Sequence, residues 1–481
     1  MAEAGSFDWR TYRLIACAFL ALKLALLVFA RPFMDETYYW LWGQHPALSY
    51  FDHPPLIGWT QALASALFGW NIVGLRIMVL ITLIGDLALL YAMARHRSAS
   101  AWREDFWPAA ALLAATPIFF GLTNLALPDH LLIFAALLAL FALQRFDTAH
   151  MAGAPRWRWL YLAAFAVGLA ILSKYLGTLL ALAILAAALA LTRWRPLLRS
   201  PHFYLAIALV LAMQAPVLLW NAANGWASFG FIVGGRQPLG EGFSAEGLIG
   251  YLLGIPFVLS PFLIWPLVKA LRSSDGDLAR LLFWLSSLAF LVASLFTNIL
   301  IHWNILAYVA MLPLLVLQLR PRLVVAAHFV YGALIAAVLA MNYTVQPVVA
   351  LFGPTTDYST SLSYGWEEVV PEIARLRAEH EIGFVAGVHY STASALAFAM
   401  RDPNVVSLAA VRDAFDDWFD PAAHAGQDAL IVTDRKRGLP RAVRRLFASV
   451  EREKRIDIMR NGYRIERYTI YLARGYTPPA P

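Results

Sequence analysis

From Tyr12 to Asn342 the chain is a succession of apolar stretches of about 17–25 residues separated by short polar turns, each long enough to cross a hydrocarbon core about 30 Å thick. The pattern predicts about eleven membrane-spanning helices, near 12–30, 73–94, 106–123, 131–144, 159–173, 175–192, 203–220, 247–270, 281–298, 304–319 and 323–342. The pair 159–173 and 175–192 meets at Ser173-Lys174-Tyr175 with almost no loop, so a re-entrant pair is the alternative there. From Tyr343 onward charges return, with Glu367, Glu368, Arg375, Arg377, Asp413, Asp416 and Asp417. Periodicity in this tail predicts helices at 366–379 and 391–400 and strands at 384–388, 404–408, 429–433 and 463–471. The expected architecture is therefore a polytopic α-helical membrane part, 1–342, followed by a small α/β domain, 343–481.

Orientation follows from the loops, because short loops rich in Lys and Arg stay in the cytoplasm. Every second loop is basic: Arg95, Arg97 and Arg103; Arg145, Arg156 and Arg158; Arg193, Arg195 and Arg199; Lys269, Arg272 and Arg280; Arg320 and Arg322. This places the N-terminus in the cytoplasm and, after an odd number of crossings, the C-terminal domain outside. The first apolar run, flanked by Arg10 and Arg13 and lacking a small-residue cleavage pattern, reads as a retained anchor. Two outer loops are long, Arg31 to Ile72 and Asn221 to Glu246. The aromatic stretches of the first suit short helices lying in the membrane interface.

Composition agrees with residence in lipid: 60% of the 481 residues are hydrophobic and 14% charged. The net charge of +7 sits at segment ends, where insertion explains it, and no nucleic-acid partner is expected. A single cysteine, Cys17, excludes an intrachain disulfide and a cysteine metal site. There is no phosphate-cradling glycine loop, nucleotide fingerprint or internal repeat.

With this topology the unusual polar residues fall on one face. Asp35 and Glu36 follow the first helix, and Asp52 and His53 sit later in the same loop. Asp129 opens the fourth helix, Lys174 lies at an outer turn, Arg236 is in the second long loop, and His302 and Asn304 cap the tenth helix. Ionisable groups at membrane depth are costly and are usually kept because they act there. Each has a plainer reading as well. Asp35, Glu36 and Asp129 suit helix starts, His53 precedes two prolines that favour an extended turn, and Lys174 suits snorkelling to the interface.

Asp35-Glu36, His53-Pro54-Pro55-Leu56 and Leu127-Pro128-Asp129 together resemble the GT-C glycosyltransferases of the protein-mannosyltransferase and aminoarabinose-transferase superfamily, and most closely its bacterial branch of lipopolysaccharide galacturonosyltransferases. Leu172-Ser173-Lys174-Tyr175, Trp220-Asn221-Ala222-Ala223-Asn224-Gly225-Trp226-Ala227-Ser228-Phe229 and His389-Tyr390-Ser391-Thr392-Ala393-Ser394 extend the resemblance over nearly the whole chain. It implies a GT-C fold in the bacterial inner membrane and inverting transfer of a sugar from a polyprenyl-phosphate donor to a periplasmic acceptor such as lipid A or lipopolysaccharide core. It also implies catalytic roles for Asp35, on the acceptor, and Asp129. Substrate contacts are expected from Glu36, Asp52, His53, Lys174, Arg236, His302, Asn304 and Tyr390. His53 stands where the aminoarabinose branch has lysine, which makes Lys174 and Arg236 the better phosphate ligands. No metal ligand motif is evident and no cofactor is expected, with a divalent ion assembled by the fold from Asp35, Glu36 and His302 as the alternative. The rival functions are a lipid-linked sugar flippase, a protein O-glycosyltransferase and a glycan-binding module.

Overall fold

A computed structural model describes residues 7–235, 243–273, 276–354 and 357–479. The chain forms two compact units, one of residues 1–25, 48–56 and 78–336, the other of residues 26–47, 57–77 and 337–481. The second unit thus takes in most of the first long loop as well as the C-terminal segment.

The first unit is helical. Every apolar stretch expected to span is largely helical, and six to eight of them among the described residues have the length and composition of a full crossing. Among the described residues, six helices are long and apolar enough: Trp9–Phe29, Ile72–Arg97, Pro128–Met151, Asp277–Ser294, Ile301–Gln318 and Arg322–Thr344. Two bent pairs raise the number to as many as eight. The reason is punctuation by proline, which lacks the N–H that an interior helical turn needs. The 106–123 stretch divides into Trp102–Ala115 and Pro117–Leu122 at Thr116, which is extended before Pro117. The 203–220 stretch bends by 41° between Pro201–Met213 and Ala215–Ala223, and the 247–270 stretch by 89° at Ser260-Pro261. Helix Trp157–Ser173 is followed, after the single extended residue Lys174, by the turn and helix that run from Tyr175 to Ala190. At several helix ends the basic loops are tied down by ion pairs, with Arg193 3.4 Å from Asp147 and 2.6 Å from Asp277.

The second unit is built on a five-stranded mixed sheet of β1 (Ile382–Gly387), β2 (Val406–Ser407), β3 (Asp428–Thr433), β4 (Phe447–Arg460) and β5 (Tyr463–Tyr476), in the order β2-β1-β3-β5-β4. The first three are parallel, and β5 runs antiparallel to both β3 and β4. Four of the strands match the expected positions. β4 does not, because its run Glu451-Arg452-Glu453-Lys454-Arg455 is an exposed edge face. Phe384, Ile431, Phe447 and Tyr476 fill one side of the sheet. Helices Trp366–Glu379 and Tyr390–Met400 also match expectation.

The first-loop helix Met34–Gln44 is packed into protein. It is buried from Glu36 to Gly43, with Trp40 and Trp42 fully inaccessible. It packs within this unit against helix Tyr390–Met400, through Thr37 Oγ1 and Ser394 Oγ at 3.2 Å and the rings of Tyr38 and Tyr390 at 4.7 Å. Its aromatic residues form part of this unit's core.

Candidate active site

In the second unit Asp35 stands in the first turn of helix Met34–Gln44 and stays partly accessible. Its Oδ1 accepts a hydrogen bond from the Tyr390 hydroxyl at 3.3 Å. Two expected site residues 355 positions apart are therefore brought together. Tyr390 is held in turn by ring contacts with Tyr38 and with His389, whose centroid lies 4.4 Å away. Tyr38 is fixed by its hydroxyl, which accepts the Ala414 backbone N–H at 3.0 Å.

Glu36, the neighbour of Asp35, has internal partners where a substrate contact was expected. Its Oε1 and Oε2 accept from Arg76 Nε and Nη2 at 2.8 and 2.7 Å, and Oε2 also accepts the Phe33 N–H at 2.9 Å. Arg76 donates as well to the carbonyls of Leu26, Ala30 and Arg31 at 3.1, 2.8 and 3.1 Å. Both side chains are out of water, with exposures of 2% and 0%. This planar bidentate pair, a geometry only arginine supplies, joins the carboxyl end of one helix to the start of the next and so sets the position of Asp35. Arg76 was missed in the sequence, although a lone arginine inside an otherwise apolar span was a signal.

In the first unit the geometry centres on Asp129, which accepts from Lys174 Nζ at 2.8 Å, with both side chains almost wholly buried. The two come from opposite turns: Asp129 from the N-terminus of helix Pro128–Met151, Lys174 from the extended link after Trp157–Ser173. Ser173 Oγ donates to the Pro128 carbonyl at 2.6 Å and holds these turns side by side. A Cβ on Gly177 would come within 2.5 Å of backbone atoms of Ala170, so only glycine allows the chain to turn back so tightly. His302 lies within electrostatic reach of Asp129. Next along the helix, His130 Nδ1 is 2.9 Å from Thr82 Oγ1.

His53 is buried, and Asp52 partly so, in the 48–56 segment of this unit. Beside them Phe51 packs on Phe231. Tyr175 reaches Ser228 Oγ at 2.8 Å and its ring meets Phe229, so the two motifs around Lys174 and Trp226 are neighbours. Asn304 also has internal partners. Its amide donates to Tyr251 Oη and Ser287 Oγ at 3.1 and 3.0 Å and accepts from Ser286 Oγ at 2.6 Å, which ties helices together. Arg236 lies outside the described residues. Two further buried charges in spans, Lys23 and Asp86, were not among the expected residues; Lys23 donates to the Phe120 carbonyl at 2.8 Å. Among the described residues no three His, Cys, Asp or Glu side chains gather in a metal-holding group. A cavity of about 460 Å³ lies instead at the far end of helix Pro128–Met151, among Asp147, Arg193 and Asp277.

The apolar spans define a multi-pass membrane protein that carries a C-terminal mixed-sheet domain. Residues 52–220 match the family of Dolichyl-phosphate-mannose-protein mannosyltransferase. Over 333 residues the chain is 27% identical to the lipid A galacturonosyltransferase RgtD of Rhizobium johnstonii, a match covering 63% of this chain and 64% of that protein, under two thirds of its length. Its fold is that of ArnT from Cupriavidus metallidurans: TM-score 0.65 and 15% identity to the apo form, over 95% of this chain and 97% of ArnT. The form bound to undecaprenyl phosphate matches over the same shares with TM-score 0.62 and 16% identity. The chain is thus similar in sequence, over part of its length, to the protein mannosyltransferase family and to RgtD, and shares the fold of ArnT over nearly all of it.

Proposed function

We propose that this protein is an inverting glycosyltransferase of the bacterial inner membrane that moves a sugar from a polyprenyl-phosphate donor to lipid A or a related envelope acceptor on the periplasmic side. The observation that carries the reading is a fold shared over 95% of the chain with a protein solved with undecaprenyl phosphate. The similarity to a lipid A galacturonosyltransferase supports the acceptor class. An outer-facing site must draw on a lipid-borne donor, because nucleotide sugars are made in the cytoplasm.

In the step itself the acceptor oxygen bonds to the anomeric carbon from the face opposite the lipid phosphate. The bond between that carbon and the phosphate oxygen breaks, and the polyprenyl phosphate leaves with the electron pair. With a hydroxyl acceptor the displaced proton passes to the Asp35 carboxylate acting as general base. A phosphate acceptor is already anionic, and Asp35 then orients it. Tyr390 keeps the carboxylate aimed, and the Glu36–Arg76 clamp keeps its helix in place. Within the first unit, Lys174, paired with Asp129 at 2.8 Å, is the proposed ligand of the donor lipid's phosphate. This arrangement needs no metal, and transfer proceeds in the presence of a chelator.

The test is transfer by the purified full-length protein in lipid nanodiscs, given polyprenyl-phosphate sugars and lipid A, together with mass spectrometry of envelope lipids from cells with and without the gene. A sugar-sized mass increase on the lipid A of expressing cells alone, unaffected by chelation in the purified reaction, is expected. Identical lipid profiles and movement of the sugar lipid across vesicles without product would replace this reading with the flippase.

A further inference from the structure

The 460 Å³ cavity at the far end of helix Pro128–Met151 is lined by residues of the first unit alone, among them Arg97 and Arg193 from the basic loops. Asp147 on its rim stands five helical turns beyond Asp129, roughly 27 Å, so the cavity is remote from the proposed transfer site. Its walls are layered. Leu90 on helix Ile72–Arg97 and Leu140 and Leu143 on Pro128–Met151 are buried, and with Leu314 of helix Ile305–Leu315 they make an apolar floor. Two turns on from Leu90 and Leu140, about 10 Å, come Arg97 and Asp147, where the lining is polar. Apolar walls with a few placed polar groups are the usual make-up of a ligand pocket, and water alone does not wet a leucine floor.

Most of the rim is already paired. Asp147 accepts from Trp194 Nε1 at 2.6 Å and from Arg193 Nε at 3.4 Å, and Asp277 accepts from Arg193 Nη1 at 2.6 Å and from Arg280. Arg97 and Asp105 are the exception. Their nearest atoms, Nε and Oδ2, are 3.7 Å apart, too far for a hydrogen bond, and among the described residues neither side chain makes one. Gln144 lines the same cavity, and its Oε1 is buried with no hydrogen-bond partner. Such an acceptor is costly to leave unmade. The lining arginines Arg97 and Arg193, with Arg280 behind them, balance the carboxylates of Asp105, Asp147 and Asp277, so the rim favours neither sign. A plain anion would meet the carboxylates, and a simple cation would leave Arg97 unmatched. A zwitterion that brings an anionic group to Arg97 and N–H donors to Asp105 and Gln144 satisfies all three.

We propose that this cavity holds one phospholipid of the leaflet on the basic-loop side, an acyl chain over the leucine floor, its phosphate on Arg97 and a primary-ammonium headgroup donating to Asp105 and Gln144. Met93, Leu314 and Leu317 on the lining are partly accessible, which leaves the floor open for a chain to enter. The lipid joins the ends of helices Ile72–Arg97, Pro128–Met151 and Ile305–Leu315 to the start of Trp102–Ala115. The site is independent of the glycosyl-transfer reading.

In the experiment the full-length protein, delipidated in detergent, is titrated with phosphatidylethanolamine, phosphatidylcholine or phosphatidylglycerol of the same acyl chains, and retained lipid is counted by native mass spectrometry. Phosphatidylcholine carries the same charges but no N–H. Phosphatidylethanolamine is therefore expected to bind about 10- to 100-fold more tightly, the range of one or two charge-assisted hydrogen bonds. The Asp105→Asn/Gln144→Leu double variant should lose that preference and keep phosphatidylcholine binding, whereas Arg97→Gln should weaken both lipids alike and Arg97→Lys restore them. Arg97 and Asp105 side chains are 39% and 21% exposed, so the fold tolerates their replacement. Equal retention of phosphatidylethanolamine and phosphatidylcholine, tighter retention of phosphatidylglycerol than of either, or an undiminished preference in the double variant overturns the proposal. The wild-type comparison decides by itself should a variant fail to fold.

Discussion

The Asp35 carboxylate accepts from Tyr390 at 3.3 Å, and a substitution there tests the proposed reaction most directly. Asp35→Asn keeps the shape and removes the proposed base. The turnover number should fall by about 10²- to 10⁴-fold, the usual contribution of a positioned general base, with membrane expression unchanged; wild-type turnover would reduce Asp35 to a helix cap. The Asp129–Lys174 pair responds differently because it is buried. Lys174→Met strands a carboxylate, and loss of one partner of such a pair costs about 3–5 kcal/mol. The Asp129→Asn/Lys174→Met double variant should be more stable than Lys174→Met alone, a sign that thermal unfolding of the set will read directly. His389 adds a pH dependence. Its folded value, about 4, lies below the roughly 6.5 of a free imidazole, so between those values the unfolded chain binds more protons. The stability this group contributes is present above pH 6.5 and lost as pH falls toward 4. The melting temperature should drop over that window, and less steeply in His389→Asn. At this scale Asp35, Asp129 and Lys174 were singled out as charges in an apolar part of the chain and Tyr390 through the motif it shares with a family, whereas the Asp35–Tyr390 and Asp129–Lys174 contacts were not legible. That Glu36 would be consumed by Arg76 was not legible, because the two are 40 positions apart and meet only after folding.

Among elements, the clearest contrast is between two strands of the same sheet. β1 was visible as an apolar run because it is covered on both faces, whereas β4 was hidden by its charges because its face is solvated. A signal for the β4–β5 hairpin was nevertheless present: Asn461-Gly462, both with positive φ (48° and 82°), is the favoured two-residue turn. Helix Met34–Gln44 was placed correctly, but its packing against helix Tyr390–Met400 was not legible. Tryptophan and tyrosine suit a headgroup region and a protein core equally well, and the composition of one helix cannot choose between them. The turn after Lys174 carries the element-level prediction. In Gly177→Ala the new methyl meets Ala170 backbone at about 2.5 Å, so the two helices must part, at a cost of about 1–3 kcal/mol. A lowered melting temperature together with a raised donor KM is expected; an unchanged melting temperature would show that the turn has slack.

For the molecule as a whole, orientation rests on the alternation of basic loops, and a labelling experiment tests it. In a Cys17→Ser background, Glu453→Cys on the exposed face of β4 should react with an impermeant maleimide in cells with a permeabilised outer membrane. Ser100→Cys, exposed in the first basic loop, should react only after the inner membrane is opened. The opposite pattern would invert the topology and remove the case for a lipid-borne donor. By itself the sequence determined what solvent physics imposes locally: that most of the chain lives in lipid, where its helices lie, which end is polar, and which rare carboxylates, lysines and phenols are available for chemistry. The tertiary structure alone decided how many helices run unbroken, because proline bends depend on neighbours to absorb them. It alone decided which charges are consumed by partners and which are left to act. Pairing energies such as Glu36 with Arg76, Asp129 with Lys174 and Asp35 with Tyr390 join residues far apart in the chain, and only folding brings them within reach.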